Sequence, residues 1–203
     1  MKLRYAIALS GGIASGKSTV ASLLKLYGYH IICADEIAHT ILDSSAKEVI
    51  ALFGDEILSA DCSDCALRID RQKLGKIVFA DKVARGKLES ILHPKIRKEI
   101  LQQAQKQESK KVLYFIDIPL FFETKHYPIQ QSLLIYTTKD LQIERLKKRN
   151  HLSEQDALCR IESQMPLEDK CAMASYVIDN SGSLEELQSA VETYLHSLQK
   201  LKI

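Results

Sequence analysis

The chain has 203 residues, of which 46% are hydrophobic and 27% are charged, and its formal net charge is +2 at pH 7. This composition is that of a globular protein with one main domain, and it excludes the disordered and fibrous classes. The small net charge means that any electropositive site has to be local. The apolar start is too short for a secretion signal and no later apolar run reaches the roughly 18 residues of a membrane span, so we expect a soluble, cytoplasmic protein.

The cysteine content points to free thiols. Five cysteines are an odd number, and without an export signal they fit reduced side chains better than a disulfide framework. Cys62 and Cys65 have the spacing of half a zinc knuckle, but no second Cys or His pair lies close by in the sequence to complete a tetrahedral site. A polar surface turn is therefore the favoured interpretation of this pair.

The order of apolar and amphipathic segments predicts an α/β fold. Apolar runs typical of strands occur at residues 5–9, 29–32, 112–116, 133–136 and 176–178. Helical patterns occur between and after them, at residues 17–27, 71–107, 140–149, 154–164 and 184–198. Unbroken apolar strands separated by helices predict a parallel sheet that is covered on both faces.

Three helix ends carry recognisable signals. Gly28 can adopt the left-handed conformation that ends the first helix. Ser153 stands just before acidic residues and indicates the start of another helix. Ser183 with Glu186 forms a capping-box pattern at the start of the last helix.

Residues 11–18 read GGIASGKS and are here called the phosphate loop. They match the pattern G-x-x-x-x-G-K-[ST] at every defined position and lie between a predicted strand and a predicted helix, as that motif requires. The alternative is an incidental Gly-rich turn, which would not need this position between a strand and a helix. The glycines let backbone N–H groups point at phosphate oxygens at the positive end of the helix. Lys17 can reach the β- and γ-phosphates, and the Ser18 hydroxyl can ligate Mg²⁺. The expected nucleotide contacts are Gly12, Ile13, Ala14, Ser15, Gly16, Lys17, Ser18 and Thr19.

A carboxylate at another strand end narrows the class of nucleotide-binding protein. Asp117 closes the apolar run 112–116, which is how a Walker B aspartate is presented to Mg²⁺, with an ordinary strand-end cap as the alternative. The sequence has no Asn-Lys-x-Asp segment of the kind that reads guanine. A GTPase is therefore disfavoured.

Asp35 is the candidate catalytic carboxylate. It follows the second predicted strand, so it should stand at the carboxyl edge of the sheet, where open α/β folds bind ligands. There it can accept a hydrogen bond from an attacking hydroxyl and orient it for in-line attack on the γ-phosphorus. A helix N-cap is the alternative role, and both roles are compatible.

Basic side chains after the fourth strand predict a lid. Arg145 and Arg149 are four residues apart and share one helix face, and Arg160 follows in the next helical segment. Arginines on a mobile helical lid can stabilise a transferring phosphoryl group once water is excluded. The ordinary alternative is a solvated basic face.

The stretch HPKIR at residues 93–97 predicts a helix start with Pro94 in its first turn. Arg97 then projects from the first turns and can hold an anionic substrate. His93 is more typical of a cap or a core hydrogen-bonding residue than of a catalyst, and it is a candidate for organising the acceptor site.

Taken in order, these segments resemble the dephospho-CoA kinase family, P-loop kinases of the nucleoside-monophosphate-kinase type. The resemblance rests on SGGIASGKST at 10–19, IICADEIAH at 31–39, HPKIR at 93–97, DIPLFFE at 117–123, RIESQ at 160–164 and VIDNSG at 177–182, with Gln142, Arg145 and Arg149 in the lid. It implies transfer of the γ-phosphate of ATP to the ribose 3′-hydroxyl of dephospho-CoA, the last step of coenzyme A synthesis. The expected cofactor is Mg²⁺, and the expected partners are the two small-molecule substrates, with no nucleic acid, membrane or obligatory protein partner.

The resemblance also implies a three-layer P-loop NTPase fold. A five-stranded parallel sheet would carry a helical CoA-binding excursion at about 60–108 and a lid at about 139–165, with the core formed by about 1–59, 109–138 and 166–203.

Carried over by position, the resemblance assigns roles to individual residues. Asp35 would orient or deprotonate the 3′-hydroxyl, and Lys17 and Arg145 would stabilise the transferring phosphoryl group. The ATP site would add Arg149, Asn180 and Gly182 to the phosphate loop, and the metal ligands would be Ser18 and Asp117. The implied substrate contacts are Asp35, His93, Arg97, Pro119, Leu120, Glu123 and Arg160.

The chain departs from the family pattern at two positions. The family often has Gly where this chain has Ala14, so a β-carbon has to fit the loop conformation there. It often has Asp where this chain has Cys33, which would not replace a carboxylate that holds Mg²⁺ through water. Two rival functions also stay open on the sequence alone, another small-molecule P-loop kinase and a regulator that binds ATP without phosphorylating a substrate.

Overall fold

The protein is described here from a computed structural model, which covers residues 2–59, 68–124 and 126–200. The chain divides into two compact units, Met1–Cys33 with Ala104–Ile203, and Ala34–Gln103. Cys62 and Cys65 lie outside the described residues, so the turn expected there stays a prediction. Within the described ranges, no helix is long and apolar enough to cross a membrane.

The first unit is built on a parallel sheet. Its strands among the described residues are β1 (Leu3–Gly11), β2 (Ile31–Cys33), β3 (Tyr114–Asp117), β4 (Ile129–Tyr136) and β5 (Tyr176–Asp179), in the order β2-β3-β1-β4-β5. Leu9 of β1 is paired with Asp117 on one side and with Leu133 on the other. The carboxyl ends of the central strands therefore meet at one edge, and all five predicted strands are confirmed.

The described helices lie between and after these strands. In chain order they are α1 (Lys17–Leu26), α2 (Ala34–Ser44), α3 (Ala46–Phe53), α4 (Arg71–Ala80), α5 (Lys82–Glu108), α6 (Phe121–Thr124), α7 (Lys139–Asn150), α8 (Glu154–Glu162), α9 (Leu167–Met173) and α10 (Leu184–Lys200), with a 3-10 turn at Asp55–Ile57. The sequence patterns did not predict α3, α6 or α9, and they indicated α2 only through the alternative role of Asp35 as a helix N-cap.

The sheet is buried on both faces, which confirms the predicted three-layer α/β fold. Leu133 in β4 packs in an apolar cluster with Ile7 of β1 and Val191 of α10. Its neighbour Leu134 points to the opposite face, because side chains alternate along a strand, and packs there with Leu167 of α9.

The capping signals are confirmed. Gly28 has φ 86°, and its N–H donates to the Lys25 oxygen just beyond the end of α1. The Ser153 hydroxyl accepts from the Asp156 N–H at 3.1 Å at the start of α8. At the start of α10 the Ser183 N–H donates to Glu186 at 2.7 Å, and the Glu186 N–H donates back to the Ser183 hydroxyl at 3.2 Å.

The second unit has its own small core. An antiparallel bridge joins Leu58 to Ile69, and Ile69 packs with Ile57 and Leu74 of α4. The helical region predicted at 71–107 is two helices, because the chain leaves helical geometry at Asp81, whose side chain accepts a hydrogen bond from the Val83 N–H at 2.7 Å.

Two sequence predictions about helix starts are wrong. HPKIR does not begin a helix, since Pro94 lies inside α5, which begins at Lys82. The helix continues through this proline because Leu92 and Ile96, four residues apart, both pack in the core of the second unit. Asp35 is not an N-cap, because α2 already begins at Ala34, which places the Asp35 carboxylate within the first turn, where the helix dipole favours it.

Candidate active site

The phosphate loop connects the carboxyl end of β1 to the first turn of α1. The Ser15 N–H donates to the Gly12 oxygen at 3.1 Å and closes a tight turn. Ala14 at φ 59° and Gly16 at φ 90° are both in the left-handed region. The Ala14 β-carbon is therefore accommodated only at a conformational cost, which glycine at that position would not have.

Three side chains from outside the loop hold its carbonyl groups. The oxygens of residues 13, 14 and 15 accept, in that order, from Gln142 Nε2 at 2.6 Å, Arg145 Nη1 at 3.3 Å and Asn180 Nδ2 at 2.8 Å. A trans peptide points its C=O and N–H to opposite sides, so the Ala14 and Gly16 N–H groups, which follow the held oxygens of residues 13 and 15, face away from these side chains, whereas the Ser15 N–H is bound within the loop. This is the arrangement that a phosphate-binding nest requires.

Two glycines in the loop permit this close approach. A β-carbon on Gly16 would lie 2.0 Å from Asn180 Nδ2. A β-carbon on Gly12 would lie 2.7 Å from Gln142 Nε2 and 3.0 Å from the Leu167 side chain. The packing around the loop therefore favours glycine at both positions, and at Gly16 the left-handed backbone favours it as well.

Lys17 and Asp117 form an ion pair at the carboxyl edge of the sheet. Lys17 begins α1 and Asp117 ends β3, and only 8% of the Asp117 side chain is exposed. The strand register sets Asp117 beside β1, which leads directly into the loop. The structure thus brings together the loop lysine and the carboxylate that the sequence assigned to the metal.

The three predicted lid arginines lie in different surroundings. Arg145 Nη2 donates to the Asn180 backbone oxygen at 2.9 Å, so its guanidinium lies against both the loop and the end of β5. Arg149 is exposed and its Nε donates to Asn150 at 2.9 Å. Arg160 is exposed on α8. Of the three, Arg145 is the one that hydrogen bonds hold at the loop.

The segment after Asp117 contains three of the predicted substrate contacts. The Pro119 oxygen accepts from the Ser10 hydroxyl at 3.0 Å, and Leu120 is 42% exposed. Glu123 Oε1 lies 2.7 Å from Lys170 Nζ and also accepts from the Met165 N–H at 3.4 Å. The carboxylate expected to face substrate is thus paired with a lysine.

Lys170 is the partner of the predicted site residue Glu123, and the sequence analysis did not single it out. Its side chain is fully buried, whereas Glu123 is 21% exposed. The ammonium approaches the carboxylate at an angle that does not make an aligned hydrogen bond, so the attraction is mainly between the two charges. A lone lysine in a helical segment carries no local signal of burial.

Near the end of β4, the Tyr136 phenol and the Cys171 thiol both have raised pKa values and stay uncharged at neutral pH. Burial raises the pKa of the Tyr136 phenol, and the charges of Glu168 and Asp179 raise it further. The same causes, burial first, raise the pKa of the Cys171 thiol. Neither group is therefore suited to act as an anionic nucleophile at neutral pH.

The remaining predicted residues are in the second unit or after β5. Asp35 is exposed in the first turn of α2, and His93 and Arg97 are exposed on α5. Gly182 lies immediately before the capping box of α10, and a β-carbon there would be 1.9 Å from the Glu186 carboxylate.

Comparisons with known proteins found relatives over nearly the whole chain. A family model described as dephospho-CoA kinase matches residues 5–186. A dephospho-CoA kinase of Helicobacter hepaticus is 54% identical over 200 residues, which cover 97% of this chain and 94% of that protein.

Two solved structures resemble the whole chain. A dephospho-CoA kinase from Campylobacter jejuni superimposes with a TM-score of 0.71 at 33% identity, covering 97% of this chain and 98% of that one. The protein TT1252 from Thermus thermophilus gives a TM-score of 0.79 at 33% identity, covering 95% and 97%.

Proposed function

Because the chain belongs to the dephospho-CoA kinase family, we propose that it transfers the γ-phosphoryl group of ATP to the ribose 3′-hydroxyl of dephospho-CoA, giving coenzyme A and ADP. The observation that carries the proposal is the phosphate loop, in which the held oxygens of residues 13 and 15 turn the Ala14 and Gly16 N–H groups away from the side chains that bind those oxygens. An array of this kind at a helix N-terminus binds the phosphates of a nucleotide. The reaction is the final step of coenzyme A synthesis.

Ser18 and Asp117 fit a Mg²⁺ ion. Mg²⁺ takes oxygen ligands and is commonly held by one or two carboxylates together with substrate phosphates, so a cluster of several acidic side chains is not required. The Ser18 hydroxyl at the start of α1 and the Asp117 carboxylate at the end of β3 supply such oxygens at one edge of the sheet. When bound, the ion neutralises charge on the β- and γ-phosphate oxygens.

Lys17 and Arg145 supply the cationic groups for the transferring phosphoryl group. Asp117 fixes the Lys17 ammonium beside the loop, so this lysine needs little rearrangement to meet the β- and γ-phosphates. Arg145 uses part of its donor set on the Ala14 and Asn180 oxygens and on the Thr137 hydroxyl, and the N–H groups left over would meet phosphate oxygens. Arg149, one turn later on α7, would reach the nucleotide when the lid closes.

Asp35 orients the acceptor hydroxyl. It is an exposed carboxylate two residues after the end of β2, and it can accept a hydrogen bond from the ribose 3′-hydroxyl. A carboxylate is too weak a base to deprotonate a ribose hydroxyl before attack. Orientation followed by late proton acceptance is sufficient for the loose transition state of phosphoryl transfer.

The other predicted contacts divide into direct and supporting roles. Exposed His93, Arg97 and Arg160 are available to the anionic parts of dephospho-CoA, as is the apolar surface of Leu120. Glu123, paired with Lys170, would shape the acceptor site together with Pro119. Asn180 and Gly182 would line the adenine side. The excursion at about 60–108 and the lid at about 139–165 remain part of this proposal.

The first test is product analysis with the purified protein, ATP and Mg²⁺, with and without dephospho-CoA. We expect a product heavier by one phosphoryl group, with the phosphate on the ribose 3′ position, only when dephospho-CoA is present. ATP binding without this product, across a panel of hydroxyl acceptors, would contradict the proposal and favour a binding-only role.

Two variants test the residue roles. Asp35→Asn should lower turnover by about 100-fold or more while ATP binding survives, and Glu36→Gln, next to it in the same helical turn, is the matched control. Unchanged turnover in Asp35→Asn would remove the catalytic role. Lys17→Ala should lose both turnover and much of the ATP affinity.

A further inference from the structure

Ile13 in the phosphate loop has both of its backbone polar groups bound by glutamine side chains. Its N–H donates to Gln164 Oε1 at 2.9 Å, and its oxygen accepts from Gln142 Nε2 at 2.6 Å. Gln142 is 4% exposed, so this contact is shielded from water. A backbone C=O can only accept and an N–H can only donate, which fixes the orientation of both side-chain amides.

These glutamines stand near the two ends of the predicted lid. Gln142 is in the first turns of α7, and its own N–H donates to the Thr138 oxygen. Gln164 follows the last turn of α8 and donates its N–H to the Ile161 oxygen. Both ends of the segment 139–165 are thus tied to a single residue of the loop.

The hydrogen bond from Gln142 also controls the next N–H group. The Ile13 C=O and the Ala14 N–H belong to one trans peptide, so holding the oxygen on the outer side turns the N–H to the inner side. Ala14 is in the left-handed region, which is unfavourable for a residue with a β-carbon. The hydrogen bond between Ser15 and Gly12 supports this conformation from inside the loop, and Gln142 is in place to support it from outside.

We propose that Gln142 and Gln164 are positioning residues that hold the phosphate loop in its nucleotide-binding conformation and couple it to the lid segment. Gln142 acts as the donor to the Ile13 oxygen and Gln164 as the acceptor of the Ile13 N–H. Neither side chain contacts the nucleotide in this proposal. It rests on the proposed binding of ATP at the loop.

The two roles have opposite polarity, which allows a matched pair of variants. Gln164→Glu keeps an acceptor for the Ile13 N–H. Gln142→Glu removes the donor and places a carboxylate against the Ile13 oxygen. Both variants add one negative charge next to Ile13. The difference in ATP affinity between them therefore reports the polarity of the hydrogen bond rather than the added charge.

The measurements are the ATP dissociation constant by calorimetry and the KM and kcat with dephospho-CoA. We expect Gln142→Glu to weaken ATP binding and raise the KM for ATP by roughly 10- to 100-fold relative to Gln164→Glu, since a buried carbonyl loses its donor. The KM for dephospho-CoA should change far less. Gln130→Glu, at an exposed position near the start of β4 and therefore at the end of the parallel sheet opposite the loop, is the control for a general effect of charge.

Gln142→Met, which has similar length and no charge, keeps the test decisive if Gln142→Glu fails to fold. Its thermal melting shows that it is folded, and it should also weaken ATP binding by about tenfold. Equal ATP affinity in Gln142→Glu and Gln164→Glu, or wild-type affinity in Gln142→Met, would overturn the inference alone. Failure of the wild-type protein to bind ATP would overturn both this inference and the proposed function.

Discussion

Replacement of Glu123 by Gln tests the ion pair between Glu123 and the buried Lys170. The two charged atoms are 2.7 Å apart, and the lysine is fully buried. Gln has nearly the same shape and its side-chain oxygen can still accept from the Met165 N–H, which Glu123 does at 3.4 Å. The substitution therefore removes the countercharge and little else.

The expected loss is large because the ammonium left behind has no access to water. Breaking a buried pair by removing one partner costs about 3–5 kcal/mol, a substantial part of the 5–15 kcal/mol by which a folded protein is typically stable. For a chain of this length this corresponds to a fall in Tm of about 6–20 °C. Urea unfolding followed by circular dichroism, with linear extrapolation to water, measures the free energy directly.

Two further variants make the result interpretable. Glu154→Gln removes the acidic partner of an exposed pair, in which Lys147 lies at 3.3 Å and the side chains are 47% and 66% exposed, and should cost no more than about 1 kcal/mol. Adding Lys170→Met to Glu123→Gln should recover most of the loss, because the uncompensated charge is gone. If Glu123→Gln lowers the free energy of unfolding no more than Glu154→Gln does, the buried pair does not stabilise the fold.

Three other outcomes are expected. Ala14→Gly should leave the loop fold intact and raise the free energy of unfolding by about 0.5–1 kcal/mol in urea titration, since φ 59° is strained only for a residue with a β-carbon; a loss of stability would contradict this. Gly16→Ala should weaken ATP binding by about tenfold or more in calorimetry, because its β-carbon would meet Asn180 at 2.0 Å, and unchanged affinity would show that the loop tolerates the contact. In mass-spectrometric mapping near neutral pH, iodoacetamide should modify exposed Cys159 well before Cys171. Burial and nearby carboxylates raise the pKa of the Cys171 thiol, which leaves less of the reactive thiolate. The reverse order of modification would refute the raised pKa of Cys171.

Local patterns in the sequence were sufficient for the framework of the site. The strand at 5–9, the GGIASGKS loop and the following helix are contiguous, so their geometry follows from short-range backbone preferences and glycine positions. The five strands were also predicted from local patterns, because a continuous apolar run indicates a strand that is buried on both faces. Capping residues such as Ser183 are likewise read within a single turn.

Local patterns failed where packing overrides them. Pro94 indicates a helix start by itself, yet it lies within α5 because apolar side chains on either side of it pack in one core. The helices α2 and α3 pack apolar side chains in the core of the second unit, so their formation depends on contacts that no local pattern shows.

The sequence by itself determined the P-loop α/β fold and the family resemblance, and it predicted that a lysine, a hydroxyl and a strand-end carboxylate lie at the nucleotide. Only the tertiary structure decided what holds these groups in place: Gln142, Arg145 and Asn180 on three loop carbonyls, Gln164 on the Ile13 N–H, and Lys170 on Glu123. Those contacts join residues as many as 165 positions apart. No local pattern specifies such pairs, because they form only when the sheet and its helices bring distant elements to one edge.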